Sequence, residues 1–200
     1  MAVRLRPAFW LIFDQAGSVL NIFAADNTDR DVAGFTFPAS WLQAVNPILI
    51  IIGAPLFALL WLRLGHRVST PGEFAVGLIL NGLSFVLMAA AVQAAVGGDL
   101  VSPWWLVAVY AIQVAGELSL SPVGLSATTK LAPVKYASQM MGLWFLATAV
   151  GDAIGGQVAR LADTWPAPTY FLTFGLASAA LGLGAAMFGR HIRALMVGIH

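Results

Sequence analysis

Six stretches of mostly apolar residues run along the chain, at roughly 6–25, 39–62, 73–96, 103–126, 136–161 and 168–188. Each is about the 20 residues that a helix needs to cross a bilayer. Turn-forming and charged segments separate them: "DNTDRDVAG", "RLGHRVSTPG", "GGDLVSP", "KLAPVK" and "ADTWPAP". Proline at 71, 103 and 168 suits the first turn of a helix, where its missing N–H costs nothing. The pattern predicts an all-α membrane protein, with residues 1–200 forming one bundle of six transmembrane helices.

Within the stretches the polar residues follow a helical period. Tyr110, Gln113, Glu117, Ser121 and Gly124 are spaced by 3, 4, 4 and 3, which places them on one face of the fourth helix. The first helix carries Trp10, Asp14, Ser18 and Asn21. The second carries Gln43, Asn46, Ile50 and Gly53, and the fifth Trp144, Thr148, Asp152 and Gly155. The third and sixth are mostly Ala, Leu, Gly and Phe, with Asn81 the main exception, and read as scaffold facing lipid.

Composition supports the membrane reading and narrows it. The 200 residues are 60% hydrophobic and 10% charged, with a mean hydropathy of +0.85, whereas a water-soluble domain has about a quarter of its residues charged. A net charge of +1 gives no basic surface for nucleic acid. There is no cysteine for a disulfide, thiolate metal site or thiol nucleophile. No HExxH or GxSxG motif occurs, and the three histidines, His66, His191 and His200, fall outside the predicted spans, so an intramembrane enzyme is not expected. Neither metal nor cofactor is expected. "MAVRLRPAFW" has no small-residue cleavage site and reads as the start of the first span.

Loop charge predicts orientation. Arg4, Arg6, Arg63, Arg67, Lys130, Lys135, Arg190 and Arg193 fall on one side, against Arg30 and Arg160 on the other. The positive-inside rule puts the first group, and both termini, in the cytoplasm of a cell with this protein in its inner membrane.

Isolated Asn, Ser or Thr in a span ordinarily bond a neighbouring helix, and Gly151 with Gly155 reads as a packing pair. Carboxylates are different, since a mid-span acid costs about 2.5–3.5 kcal/mol on the insertion scale. Asp14 and Glu117 sit at that depth. Every Lys and Arg reads as lying in a loop or at a span end, so neither acid has a cation at its own level. They are then neutralised by protons, or meet a cation from a substrate or another polypeptide, which points to proton-linked transport. Pro122 removes a helix hydrogen bond one turn beyond Glu117, making it a candidate hinge beside the acid.

These residues resemble a known family. "GELSLSPVGLSATTKLAP" and "MMGLWFLATAVGDAIGG" look like helices ten and eleven of the proton-dependent oligopeptide transporters in the major facilitator superfamily. "FWLIFDQAGSVLNIFAADNTDR" looks like helix seven, and "FPASWLQAVNPILIIIGAPLFALLW" like helix eight. The resemblance implies the C-terminal six-helix half of a twelve-helix fold. In that fold helices seven, eight, ten and eleven line the cavity, and nine and twelve lie outside. It implies that Glu117 engages a peptide's amino group and that Asn46 contacts peptide backbone. Trp144 belongs to a side-chain pocket, Trp10 lines the cavity, and Asp14 takes part in proton coupling. Asp14 stands where the family usually has glutamate, one methylene longer, and Glu73 where a basic residue is expected. The family's ExxERF motif and helix-four lysine have no counterpart here. The implied function is half of a proton-coupled di- or tripeptide symporter that requires an N-terminal half. The alternative is a relic or truncated membrane fragment, or an assembly module without transport of its own.

Overall fold

A computed structural model describes residues 2–64, 70–131 and 134–195, with side chains for 6–64, 71–121 and 135–188. The helices are α1 (Ala2–Phe13), α2 (Val19–Asp26), α3 (Ser40–Leu64), α4 (Thr70–Ala94), α5 (Trp104–Leu131), α6 (Ala137–Ala159) and α7 (Ala167–Leu195). Among the described residues five spans are long and apolar enough to cross a bilayer: Arg6–Asp26, Ser40–Leu64, Pro71–Ala94, Trp104–Ser121 and Ala167–Phe188. The 23-residue α6 has the length but is not one of the five. Gln139, Thr148, Asp152 and Gln157 dilute its apolar content. Of the basic residues in the charge count, Arg4, Arg67, Lys130, Arg190 and Arg193 have side chains outside the described residues.

A short hairpin that hydropathy did not announce joins α2 to α3. Strand β1 (Asp31–Val32) pairs antiparallel with β2 (Phe35–Thr36). Ala33 and Gly34 turn the chain at φ 55° and 85°, the positive values of a two-residue turn matched to strand twist. Arg30 donates to the carbonyls of Phe37 and Ala25, and Asp31 accepts from the Gly34 N–H. Backbone bonds between Asn27, Asp29 and Val101 tie this loop to the start of α5.

The centre of the bundle is α4, packed against α7, α5 and α1. This departs, for α4, from the expectation that the two least polar helices face lipid, whereas α7 leaves Leu176, Leu183, Met187 and Phe188 exposed. In α4 Phe74, Leu78, Asn81, Ser84, Phe85 and Met88 are all buried. Lack of polar residues marks a helix that needs no water, which describes a bundle centre as well as a lipid face. Glycines let the backbones meet. A Cβ on Gly82 would lie 2.5 Å from the Gly175 carbonyl oxygen, and one on Gly182 2.9 Å from that of Ala75, which sets α4 and α7 antiparallel.

Two side chains stitch α4 to its neighbours. The Asn81 amide donates to the Phe9 carbonyl at 2.8 Å, and Ser178 on α7 donates to the Leu78 carbonyl at 2.9 Å. Asn81 therefore acts as an interhelical bond. Replacing it with Ala should cost about 1 kcal/mol. Thermal unfolding in detergent would show a small fall in Tm, whereas an unchanged Tm would mean that the bond contributes nothing net.

The first span is broken at mid-length. Between α1 and α2, residues Asp14–Gly17 form a 3-10 turn, and Ser18 leaves helical geometry at φ −121°, ψ −94°. Trp10, Asp14, Ser18 and Asn21 therefore do not form the continuous helical stripe expected. The Gln15 side chain stabilises the break by donating to the carbonyls of Leu11 and Gly155, and Ser18 donates to the Gln15 amide oxygen at 3.0 Å. Below the break α1 lies parallel to α6. A Cβ on Gly151 would fall 2.7 Å from the Pro7 carbonyl oxygen, and one on Gly155 3.0 Å from that of Leu11, so the glycine pair is a packing device. Through Pro122, in contrast, α5 stays helical to Leu131, although the Pro122 side chain lies outside the described residues.

Candidate functional site

Interhelical contacts fix the depth of each candidate. A Cβ on Gly116 would sit 3.0 Å from the Gly77 carbonyl oxygen and 3.5 Å from the Asn81 nitrogen, which places Glu117 beside the middle of α4. The Asn81–Phe9 bond places Phe9 of α1 at the same level. Glu117 is half-buried, and its Oε2 is enclosed without a hydrogen-bond partner among the described residues. Along the same α5 face the Tyr110 hydroxyl, both ends of the Gln113 amide and the Ser121 hydroxyl are likewise buried and unpartnered.

Arg6 corrects the sequence reading. It was expected at a span end, but it is only 5% exposed and lies level with Thr148, to whose hydroxyl its Nε donates. Thr148 is eleven residues into α6, about 16 Å from that helix's start at 1.5 Å per residue. On α1 Arg6 is one turn from Phe9, and hence near the level of Glu117. The guanidinium carbon lies 3.8 Å from the centroid of the Trp144 ring and 5.3 Å from that of Trp10, two cation–π contacts. Hydropathy reads span ends from composition alone. The register of α1 against α4 and α6 puts this cation inside.

The two tryptophans are thus neighbours. Trp144 is buried among Phe9, Phe13, Phe74, Leu78 and Leu120, with its ring edge-on to Phe74 at 6.5 Å. Trp10 is half-buried against Phe9 and Phe13, and its indole N–H has no partner among the described residues. Asp14 opens the 3-10 turn and is exposed, facing the exposed Asp152 of α6.

Asn46 stands apart from this cluster. It is half-buried on α3, a helix whose sides are largely uncovered, with Ile51 74% and Leu62 78% exposed. Gly53 of α3 touches Leu118 of α5, and Asn46 is seven residues, about 10 Å, outward of that point. Pro47 follows it directly and deprives the Gln43 carbonyl of its helical donor. The structure therefore joins Glu117, Arg6, Trp10 and Trp144 in one region. It places Asp14 with Asp152 outward of them along the first span, and Asn46 across α5. A cavity of about 360 Å³ lined by Val19, Phe23, Val92 and Tyr170 includes none of these candidates.

Long apolar helices joined by short loops, with acids carried at mid-span, define a polytopic helical membrane protein. The POT family model matches residues 4–184, and the chain belongs to the POT family. It is 48% identical over 177 residues to an uncharacterized transporter of Bacillus subtilis, covering 87% of this chain and 35% of that one. It is 35% identical over 193 residues to a di-/tripeptide transporter of Lactococcus lactis subsp. cremoris, covering 94% and 39%. Among solved structures, a peptide transporter POT in complex with alafosfalin superposes with a TM-score of 0.88 at 43% identity, covering 98% of this chain and 40% of that one. The chain thus spans about two fifths of the length of these relatives. Members of this family are transporters and not enzymes.

Proposed function

We propose that the chain supplies the C-terminal half of a proton-coupled di- or tripeptide symporter, acting with an N-terminal six-helix half. The observation that carries this reading is Glu117, a mid-span carboxylate with an enclosed, unpartnered oxygen, in a chain whose relatives include di-/tripeptide transporters. Glu117 accepts the ammonium group of the peptide. Asn46 contacts the peptide backbone farther out, and Trp10 and Trp144 bound the pocket below. Asp14 holds a transported proton, Pro122 lets α5 bend, and the peptide carboxylate meets cations of the partner half. The half sits in the cell's inner membrane with both ends of the chain in the cytoplasm. Protonation of an acid loosens a charge pair and lets the two halves rock about the site.

Uptake of labelled dialanine into cells under an inward proton gradient tests this. Uptake should appear only when the N-terminal half of a POT relative is co-expressed, and should collapse with a protonophore. Background uptake from an assembled pair of halves would remove the reading.

Arg6 favours a second reading. A cation near the level of Glu117 within one chain lessens the need for a partner's charge there, as in an assembly module with no transport of its own. That reading expects the chain to insert and fold alone, and to give no uptake in any pairing.

A further inference from the structure

Arg6 and Glu117 carry complementary deficits. Arg6 is buried, with Nε committed to Thr148 and Nη1 enclosed without a partner among the described residues. Glu117 has Oε2 enclosed in the same condition. They lie near one another in depth through two successive registers, α1 on α4 and α4 on α5. Laterally, Leu120, one turn along α5 from Glu117, packs in the cluster that contains Trp144, on which Arg6 stacks. A buried charge left without its counter-charge is strongly destabilising, and a donor or acceptor without a partner adds its own desolvation cost.

We infer that Arg6, which makes no direct hydrogen bond to Glu117 among the described residues, is the internal counter-ion of that carboxylate and competes for it with a substrate ammonium. This deepens the peptide reading and rests on it for the identity of the competing group. The pairing itself does not. The Thr148 hydroxyl holds Nε and the Trp144 and Trp10 rings hold the guanidinium, which leaves the Nη groups for Glu117. A positive ligand group arriving at Glu117 would displace the Nη groups from it while Nε stays on Thr148. Arg6 would thereby set how strong an amine must be to bind, making it a specificity-determining residue.

The test is a double-mutant cycle on the full chain, read as Tm in detergent: Arg6→Gln, Glu117→Gln and both together. Loss of the Thr148 and Trp144 contacts is common to both backgrounds and cancels, which leaves the coupling. Each single variant should lower Tm, and the double variant should recover about half or more of the summed loss. Losses that simply add would overturn the proposal. If a single variant yields no folded protein, the double variant should restore a monodisperse peak on size exclusion, and failure to restore it overturns the pairing equally. Dialanine binding, followed by tryptophan fluorescence on the same variants assembled with the N-terminal half of a POT relative, reports separately on the peptide reading. A coupled cycle without dialanine binding keeps the pair and removes the peptide. An additive cycle with dialanine binding does the reverse.

Discussion

Glu117→Gln is expected to lower dialanine uptake by the assembled transporter about thirtyfold, and to erase its preference for dialanine over N-acetyl-dialanine. Glutamine keeps the size and shape of the side chain but replaces a charged acceptor with a neutral amide. A hydrogen bond to a charged group contributes about 2 kcal/mol, which is the thirtyfold factor. The acetylated peptide has no ammonium group, so its uptake should change little. The two-substrate comparison separates loss of recognition from loss of protein, because a folding defect lowers both rates together. A variant that still preferred the free amine would take the amino group away from this carboxylate.

Gly82→Ala should destabilise the bundle by about 2–3 kcal/mol, the upper range for overpacking. The added carbon would lie 2.5 Å from the Gly175 carbonyl oxygen and 2.7 Å from the Ala179 nitrogen, both backbone atoms that no rotamer change can move. Gly175→Ala attacks the same crossing from the other side, at 2.8 Å from the Gly82 oxygen. Gly184→Ala on the same helix is the control, because nothing lies within 4 Å of its added carbon. Alanine there should raise Tm slightly through helix propensity. Equal effects at positions 82 and 184 would mean that the α4–α7 crossing is looser than described.

The helices were legible because lipid imposes one rule: a run of apolar residues long enough to span must satisfy its own backbone. Asn81 and the Gly151–Gly155 pair were legible for a related reason, since an amide or a small-residue pair within a span has few uses besides contact with another helix. Depth and burial were harder. The position of Arg6 depends on how far α1 is shifted along α4 and α6, and no residue of α1 alone encodes that offset. The central place of α4 was missed because its polar content is low, which is equally true of a helix in lipid. The 3-10 break had a visible signal in the "DQAGS" segment, where Gln15, Gly17 and Ser18 supply the side-chain bonds and the freedom to leave the helix. Within the candidate site, the clustering of Trp10, Trp144 and Glu117 was implied by family resemblance and not by spacing, because it joins residues from three helices.

A helix that gives up its regular ladder for four residues concentrates its bending compliance there. In this chain the compliant segment begins at Asp14, with α2 and the outer hairpin on one side and the glycine-locked stretch of α1 on the other. A displacement imposed on the hairpin would be absorbed at Asp14–Gly17 and would reach the inner segment attenuated. The carboxylate at position 14 therefore rides close to the pivot, where it translates least and reorients most.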